Sequence, residues 1–359
     1  MDDLVNKLKI FHGKRVFLTG DTGFKGSWLA LWLTEMGANV YGYALPPVRH
    51  DAHFNLLNLQ EKIVHQEGDI RDLDKLSAFF HEARPEFVFH LAAQALVHKS
   101  YSNPKETFDT NVGGSVNLLE CVRTSDTVNA LVYITSDKCY NNKEWIWGYR
   151  ENDELGGPDP YSASKAAAEQ VFFAYSKSFF QSQTKFGYAS VRAGNVIGGG
   201  DWSENRVVPD CVRALQHNQP IVLRKPQATR PWQHVLEPLS GYLTLAASLT
   251  RDPFKYSGSW NFGPSEHASR SVLEVASAIV NRWETGEIQI KSVDNGIHEA
   301  GLLRLNCDKA NQSLGWHPRW NFERTIESTI DWYRAVLAGE SAAKISCNQI
   351  KNYMDSVYD

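Results

Sequence analysis

The sequence lacks the cysteine patterns that indicate a disulfide framework or a zinc site. Its 359 residues contain five cysteines, an odd number, and none of them form a Cys-x-x-Cys pair. Such a distribution is typical of reduced thiols in a cytosolic protein. The two neighbouring histidines, His50 and His53, have no array of further metal ligands around them. We therefore expect no bound metal.

An excess of basic charge and long apolar runs are missing as well. The 37 lysines and arginines are outnumbered by 41 aspartates and glutamates, which gives no sign of a surface that binds nucleic acid. The start, from Met1 to Lys7, has no apolar stretch after a basic patch, as a signal peptide would. No segment approaches the roughly 18 apolar residues of a membrane helix. These absences predict a cytoplasmic protein with no nucleic-acid or membrane partner.

A glycine-rich turn is the first feature that points to chemistry. The apolar run 15–19 has the length of a strand, and it leads directly into Gly20, Gly23 and Gly26. The following run 27–33 has the composition of a buried helix. A strand, a glycine turn and a helix in this order let a pyrophosphate approach the helix N-terminus closely. The sequence therefore predicts a dinucleotide-binding site at this turn.

Strands and helices alternate along the first half of the chain. A helix is expected to open at Asn103-Pro104 and to continue through Asn111 to Arg123. This alternation predicts an α/β fold with a Rossmann-type doubly wound parallel sheet, whose ligands lie at the carboxyl ends of the strands. The predicted strands are 15–19, 39–45, 63–66, 87–93, 131–135 and 188–192.

The second half has a different character, with longer loops and more prolines, tryptophans and arginines. We therefore predict a dinucleotide-binding domain over 1–194 and a smaller mixed α/β substrate-binding domain over 195–340. Segments near 230–260 can return to the first domain. Residues 341–359 are polar, and we expect them to form a tail without an assignable role.

The end of the second strand leaves the choice between NAD and NADP open. The acidic residue that usually bonds the adenosine ribose is missing from the segment Ala44–Arg49. Arg49 can receive the 2′-phosphate of NADP or be a solvated loop residue. Asp69, at the end of the third strand, can reach the adenine amino group or cap the helix that follows.

Tyr161 and Lys165 lie four residues apart at the predicted start of a helix, just after Pro158 and Pro160. Positions i and i+4 share one face of a helix, so both side chains can point into one cleft. A nearby ammonium favours the phenolate, and we therefore expect a lowered pKa that makes Tyr161 a general base. At the same edge of the sheet, directly after the fifth strand, we expect Ser136-Asp137-Lys138.

Together these motifs resemble the extended short-chain dehydrogenase/reductase family. More narrowly, the chain is similar to the nucleotide-sugar 4,6-dehydratases, from Lys14 to Arg334, and Gly23–Trp28 and Thr135–Tyr140 are similar to the branch that acts on CDP-glucose. The matching residues are Thr19-Gly20-x-x-Gly23-Phe24-x-Gly26, His90-Leu91-Ala92-Ala93, Asn111, Tyr161-x-x-x-Lys165 and Arg192-x-x-Asn195-Val196.

The resemblance implies a tightly held NAD, the nucleotide sugar CDP-glucose as substrate, and a homodimer. Three of the substrate-binding residues that it implies, given below, have alternatives: a surface or structural role for Arg206 and Arg304, and a turn-stabilising role for Asn195. The residues implied at the cofactor are Gly20, Gly23, Phe24, Gly26, Asp69, Ile70, Leu91, Ala92, Ala93, Asn111, Tyr161 and Lys165. Those implied at the substrate are Asn195, Arg206, Arg230, Arg304 and, beside His298, Glu299.

The resemblance also implies how the reaction proceeds. Tyr161 takes the proton of the C4 hydroxyl while hydride passes to NAD, Ser136 shares the hydrogen bond, and Lys165 also binds the nicotinamide ribose. Asp137 acts as the acid at the C6 hydroxyl, which requires a raised pKa. Lys138 stands where the dTDP-glucose enzymes have a glutamate that acts as the C5 base. It can be a neutral base or a charged group that stabilises the enolate.

Other functions fit parts of the sequence. A nucleotide-sugar 4-epimerase of the same fold needs Tyr161 and Lys165, but not the acid and base for elimination. A dinucleotide-binding scaffold without turnover predicts degraded catalytic positions, whereas Ser136 and Asp137 accompany an intact Tyr161 and Lys165. No residue distinguishes cytosine from another base, so a dehydratase for dTDP- or GDP-hexoses is the alternative for the substrate.

Overall fold

The centre of the molecule is a seven-stranded sheet in which all neighbouring strands are parallel. The computed structural model describes residues 4–264, 269–291 and 301–356. This sheet confirms the predicted Rossmann-type α/β fold. Its strands are β1 (Arg15–Thr19), β2 (Asn39–Ala44), β3 (Val64–Glu67), β4 (Phe87–His90), β5 (Ala130–Ile134), β6 (Gly187–Ala193) and β11 (Gly258–Phe262). They lie in the order β11-β6-β5-β4-β1-β2-β3 across the sheet.

Helices cover both faces of this sheet, and short strands pair outside it. Three two-stranded sheets are formed by β7 (Val196–Ile197) with β10 (Gln233–His234), β9 (Thr229–Pro231) with β12 (Ser269–Ser271), and β8 (Ile221–Leu223) with β13 (Ile288–Ile290). The helices are α1 (Leu4–Leu8), α2 (Phe24–Glu35), α3 (His53–Leu56), α4 (Leu73–Ala83), α5 (Val97–Ser102), α6 (Pro104–Phe108), α7 (Gly114–Arg123), α8 (Pro160–Tyr175), α9 (Val207–Gln216), α10 (Leu236–Arg251), α11 (Pro253–Tyr256), α12 (Val272–Trp283), α13 (Phe322–Leu337) and α14 (Ala342–Asp355).

The strand order reverses between β1 and β4, so the loops after these two strands diverge and open a crevice. The fourth strand is shorter than predicted, because it ends at His90 and not at Ala93. The backbone N–H of Leu91 donates to the carbonyl oxygen of Thr19 at 3.1 Å, after which the chain leaves the sheet.

The helix predicted from Asn103 to Arg123 is interrupted. Residues 109–113, including Asn111, form a π-helical turn between α6 and α7. Such turns insert one extra residue into a helix and occur frequently at functional sites. Helical propensity alone does not reveal this interruption, because the residues on both sides of it are helical.

The C-terminal segment, expected to be a tail, forms the helix α14 and belongs to the core. Ile350 and Tyr353 are buried against α2 and α13, and the Ser346 hydroxyl accepts a hydrogen bond from Trp332 Nε1 at 2.9 Å. The apolar residues of α14 are few, which explains why the segment looks like a polar tail in the sequence.

We expect the substitution Tyr353→Phe to lower the free energy of unfolding by about 1.5–3 kcal/mol, because its hydroxyl donates to the fully buried carboxylate of Glu237 at 2.6 Å. Urea unfolding at about pH 8.5 measures this loss, because burial raises the pKa of Glu237 to about 7 and the carboxylate is ionised above it. The matched control is Tyr175→Phe, which removes a hydrogen bond to the half-buried Glu120 and should cost less than about 1 kcal/mol. Equal losses for the two variants would contradict the assigned role of α14.

Candidate active site

The glycine turn brings the ends of β1 and β4 into direct contact. Gly20 has a φ of +78°, and a Cβ atom there would lie 2.8 Å from the backbone nitrogen of Ala92. A Cβ atom at Gly26 would lie 2.0 Å from the carbonyl oxygen of Gly20. Thr19 Oγ1 accepts hydrogen bonds from the N–H groups of Leu91 and Ala92, at 3.2 and 3.1 Å. Positions 20 and 26 therefore require glycine, and together they leave a floor of bare backbone beside α2.

The N-terminus of α2 opens onto this floor. Gly23 is the N-cap residue, and it has no side chain that could cap the first turn. The first N–H groups of α2 can therefore donate to an anion such as a pyrophosphate. Phe24 directs its ring towards Gly198, where a Cβ atom would lie 3.3 Å from the ring atom Cζ. Gly23 and Phe24 thus offer backbone rather than side-chain atoms to a ligand.

The side of the crevice next to β2 and β3 contains Asp69 and Ile70. Asp69 binds Arg71 with both carboxylate oxygens, at 3.0 and 2.5 Å, and this hydrogen bonding lowers the pKa of Asp69. The alternative role of Asp69 as a helix cap is wrong, because Asp72 caps α4 by accepting from the Lys75 N–H at 3.1 Å. Ile70 is buried.

The side chains of two further residues predicted near the cofactor bind other residues of the protein. Asn111 Oδ1 accepts from the N–H of Gln94 at 2.8 Å, and Asn111 Nδ2 donates to Ser164 Oγ at 2.8 Å. Asn111 therefore joins the loop after β4 to α8, and it is buried. Arg49 pairs with Asp51 at 2.7 Å in an exposed loop, in keeping with its interpretation as a loop residue.

The helix α8 begins where the proline pattern predicts, with Pro160 in its first turn and Asp159 as the N-cap residue. The Asp159 carboxylate accepts from the N–H of Ser162 at 3.0 Å, which satisfies one of the free amides of the first turn. Tyr161 and Lys165 follow one turn apart, and both are buried. The start of α8 is therefore held rigidly, and the two side chains share one face.

The segment 136–138 reaches the same place from the end of β5. Ser136 caps a short 3₁₀ turn over Asp137–Cys139 by accepting from the Lys138 N–H at 3.2 Å, and Ser136 Oγ donates to Asp137 Oδ1 at 2.9 Å. Asp137 is buried, and a Cβ atom at Gly194 would lie 3.0 Å from its Oδ2. The structure thus brings Ser136, Asp137 and Tyr161 together, since the Ser136 hydroxyl is close enough to lower the pKa of Tyr161.

Burial raises the pKa of the Asp137 carboxyl, against the opposing influences of Lys138, Ser136, Lys25 and Arg230. The raised pKa is the property that a general acid needs near neutral pH. Desolvation therefore decides the direction in which the pKa of Asp137 moves, because the four nearby groups offset it only in part.

The predicted lowering of the Tyr161 pKa is wrong. Burial raises the pKa of Tyr161 to about 12, and the hydrogen bond with Ser136 and the charge of Arg206 offset only part of this rise. The same desolvation acts on its partner, because it lowers the pKa of Lys165 to about 8. The prediction considered the charge of Lys165 and left out the low polarity of the site, which is the larger effect here.

Of the residues predicted at the substrate, Arg206 and Arg230 lie near Tyr161 and Asp137. Arg206 pairs with Asp201 at 2.9 Å and is near enough to Tyr161 to lower its pKa. Arg230 lies on β9, and its charge acts on Asp137. Asn195 follows Gly194, and Arg304 Nε is buried without a hydrogen-bond partner among the described residues. His298 and Glu299, also predicted here, lie outside the described residues.

Two kinds of site are absent from the described part of the chain. Residues 4–264, 269–291 and 301–356 contain no group of three or more His, Cys, Asp or Glu side chains that could hold a metal ion. Within the same ranges, no helix combines the length and the apolar character that crossing a membrane requires.

Comparison with known proteins agrees with this arrangement. Residues 17–329 match the family model described as GDP-mannose 4,6 dehydratase. The chain is 49% identical over 350 residues to a CDP-glucose 4,6-dehydratase of Salmonella typhimurium, covering 96% of this chain and 98% of the relative. The chain belongs to the nucleotide-sugar 4,6-dehydratase family.

Solved structures with the same fold include both dehydratases and epimerases. An epimerase from Methanothermobacter thermautotrophicus superposes with a TM-score of 0.82 at 23% identity, covering 94% of this chain and 96% of that one. A dTDP-glucose 4,6-dehydratase from Bacillus anthracis, solved in complex with NAD, superposes with a TM-score of 0.74 at 21% identity, covering 89% and 96%. These likenesses show that the chain shares the fold of these enzymes.

Lys25 is a residue of this nucleotide-sugar dehydratase that the sequence reasoning passed over. It lies within the glycine turn, and burial lowers its pKa to about 8, against the attraction of Asp137. The charges of Arg206 and Lys165 also act on it. A lysine inside the glycine turn, directly before Gly26, is a signal that could have identified it as a neighbour of the site.

We expect the substitution Lys165→Met to stabilise this family member while inactivating it. The pKa of Lys165 falls from 10.5 to about 8 on folding, so keeping it charged below pH 8 costs about 3 kcal/mol. Because the folded-state pKa is the lower one, this cost shrinks as the pH rises from 8 and disappears above 10.5. Urea unfolding should therefore show a gain at pH 7 that is largely lost at pH 10, and a constant difference would contradict the assignment.

Proposed function

We propose that this protein is a CDP-glucose 4,6-dehydratase, which converts CDP-D-glucose into CDP-4-dehydro-6-deoxy-D-glucose and water. The observation that carries the proposal is the 49% identity to a CDP-glucose 4,6-dehydratase along 96% of the chain. The meeting of Tyr161 and Lys165 with Ser136, Asp137 and Lys138 supports it, because elimination needs an acid and a base beside the redox pair.

The proposed cofactor is NAD, which when bound supplies a reversible two-electron oxidant for the sugar. The residues present fit it, because the glycines at positions 20 and 26 let backbone pack against backbone and leave no side chain of their own beside the N-terminus of α2. Free N–H groups at this N-terminus suit the pyrophosphate. Leu91, Ala92 and Ala93 are proposed to contact the nicotinamide end of the cofactor, and Asp69 and Ile70 its adenosine end.

Tyr161 and Lys165 act together as the base at the C4 hydroxyl. A phenol with a pKa of about 12 is almost entirely protonated at pH 7. Tyr161 can therefore accept the C4 proton only if another group takes its own. With a pKa of about 8, Lys165 is neutral in roughly a tenth of the molecules at pH 7. In this fraction Tyr161 passes its phenolic proton to the neutral amine of Lys165 as it receives the C4 proton, and Ser136 orients the hydroxyl.

Asp137 and Lys138 perform the loss of water. Once C4 is a ketone, the C5 proton is acidic, and the C6 hydroxyl must leave with a proton. Asp137 holds that proton because burial raises the pKa of its carboxyl. Lys138 either removes the C5 proton as a neutral base or stabilises the enolate as a cation. Arg230, Arg206, Arg304 and Asn195 are proposed to bind the diphosphate and the sugar.

We expect the substitution Lys138→Met to stop the reaction between oxidation and water loss. Reduction of the bound dinucleotide, followed at 340 nm, should persist, because Tyr161 and Lys165 are intact. Formation of the 4-keto-6-deoxy product should fall about 10²-fold or more. The matched control is Lys143→Met, which removes the charge of an exposed lysine paired with Glu154 in the following loop. Product formation by Lys138→Met at the rate of this control would remove Lys138 from the elimination.

The substrate is tested by turnover of CDP-, dTDP-, UDP- and GDP-glucose and GDP-mannose, with the alkali-shifted ultraviolet band of a 4-keto sugar as the readout. We expect the largest kcat/KM with CDP-glucose. No product from CDP-glucose would overturn the proposed substrate, and an epimerised sugar would favour the 4-epimerase. The proposed homodimer is tested by sedimentation equilibrium of the same preparation.

A further inference from the structure

An ion pair lies directly behind the candidate active site. Glu169 of α8 and Arg192 of β6 are 3% and 2% exposed, and they bind each other through two hydrogen bonds of 2.9 Å, from Arg192 Nε and Nη2. Taking two charges out of water is costly, and such a pair is often no more stabilising than apolar residues of the same size. Its position therefore needs an explanation other than stability.

Both ends of the segment that carries Ser136, Asp137 and Lys138 are tied to this pair. On one side, Thr135 Oγ1 donates to Glu169 Oε1 at 2.5 Å. On the other side, Arg192 Nη1 donates to the hydroxyl of Tyr140 at 2.7 Å, and the guanidinium lies 4.8 Å from the Tyr140 ring centroid. Glu169 lies on α8 one turn beyond Lys165. The pair thus joins the helix of Tyr161 to the segment of Asp137.

Every polar group of the pair is already used inside the protein. The remaining N–H groups of Arg192 donate to the carbonyl oxygen of Glu151 at 3.0 Å and to Ser259 Oγ at 3.3 Å. Glu169 Oε2 also accepts from Ser190 Oγ at 2.8 Å. A guanidinium has five N–H groups, and the described contacts occupy all of them. Arg192 is consequently unable to bind a substrate phosphate, and the pair acts on other residues only through its tethers.

We propose that Glu169 and Arg192 are positioning residues that hold the Asp137 segment at a fixed distance from Tyr161. This inference rests on the proposed function, in which Tyr161 serves the oxidation and Asp137 serves the loss of water. The helix α8 has further anchors, since Asp159 caps it and Asn111 binds Ser164. Backbone hydrogen bonds also hold the ends of the segment 136–138, from Thr135 to the carbonyl oxygen of Val191 and from Gly156 to that of Cys139, and the two tethers add side-chain hydrogen bonds to the ion pair. Loosening them should therefore impair water loss more than oxidation.

The test uses the double variant Thr135→Val/Tyr140→Phe, which removes the hydroxyl groups of both tethers and leaves Glu169 and Arg192 paired with each other. It also removes the hydrogen bond from the Tyr140 hydroxyl to Asn261 Oδ1. We expect kcat for dehydration of CDP-glucose to fall at least about tenfold, with KM changed less than about twofold, since small displacements of a catalytic group are costly. Reduced dinucleotide should accumulate in a single turnover. The matched control, Tyr175→Phe on the same helix, should leave all three quantities unchanged.

Hydrogen exchange supplies a readout that does not depend on activity. The backbone N–H groups of residues 137–140 should exchange at least about tenfold faster in the double variant than in the wild type or in Tyr175→Phe. Unchanged exchange in this segment would overturn the positioning role, whether or not the enzyme is active. Faster hydrogen exchange together with an unchanged kcat would show that the positioning of this segment does not matter for catalysis. If the wild type forms no product from any nucleotide sugar, the proposed function fails, and hydrogen exchange still decides whether the pair holds the segment.

The variant Glu169→Gln tests the pair itself. It keeps the shape of the side chain and removes the charge that binds Arg192, so the exchange of residues 137–140 should rise as it does in the double variant. Combining all three substitutions should add little to the effect of Thr135→Val/Tyr140→Phe on kcat, because groups that act as a unit are not additive. Additive losses would show that Glu169 acts through another route.

Discussion

Tyr161→Phe is expected to lower the turnover of CDP-glucose about 10²- to 10⁴-fold, the range typical of losing a general base. The variant retains the aromatic ring in its buried site, so folding and binding should be affected little. What is lost is the oxygen that receives the C4 proton. The bound dinucleotide should no longer be reduced when CDP-glucose is added, which absorbance at 340 nm measures directly.

The pH dependence of the wild type gives a second view of this step. If the base is the Tyr161–Lys165 pair, its capacity to accept a proton follows Lys165, with a pKa of about 8. The rate of dinucleotide reduction should therefore rise about tenfold per pH unit below pH 8 and level off above it. Tyr175→Phe, whose hydroxyl binds Glu120 away from the site, should reproduce the wild-type profile. A profile that is flat between pH 6 and 8 would contradict the role of Lys165.

The second large effect is expected for Asp137→Asn. This substitution preserves shape and removes the acidic proton, so water loss should slow about 10²- to 10⁴-fold while oxidation at C4 continues. The enzyme should accumulate a 4-keto sugar that still carries its C6 hydroxyl, together with reduced dinucleotide. Quenching a single turnover and analysing the sugar by mass spectrometry distinguishes this species from the product by the mass of one water.

The raised pKa of Asp137 also predicts how dehydration depends on pH. Because the acid is active when protonated, dehydration in the wild type should decline once the pH exceeds the pKa of Asp137, and oxidation should not. The matched control is Asp109→Asn, which affects an exposed carboxylate paired with Lys105. Equal loss of oxidation and dehydration in Asp137→Asn would show that Asp137 serves both steps.

Local signals explain how much of the fold could be predicted from the sequence. The strand β1 and the glycine turn after it are adjacent in the chain, and the start of α8 is marked by Pro160 with a capping aspartate just before it. The carboxyl ends of parallel strands share one edge, which is why Ser136, Asp137 and Tyr161 could be expected together. None of these inferences required knowledge of a distant contact.

The features that sequence reasoning missed depend on burial and on long-range partners. The pKa of Tyr161 is set mainly by desolvation, which a helix-face argument does not contain. The helix α14 is held by a hydrogen bond from Tyr353 to Glu237, 116 positions away in the chain. Lys25 acquires its surroundings only when α2 meets the ends of β5 and α8. Packing of this kind cannot be inferred from residue types and spacing alone.

The most direct test of the account is the fate of a deuterium label at C4 of CDP-glucose. If the hydride removed from C4 is returned to C6 within one active site, the deuterium should appear at C6 of CDP-4-dehydro-6-deoxy-glucose, with one solvent hydrogen at C5. Nuclear magnetic resonance of the product locates both atoms. A label that remains at C4 in an epimerised sugar, or that is lost to solvent, would contradict the proposed dehydratase mechanism.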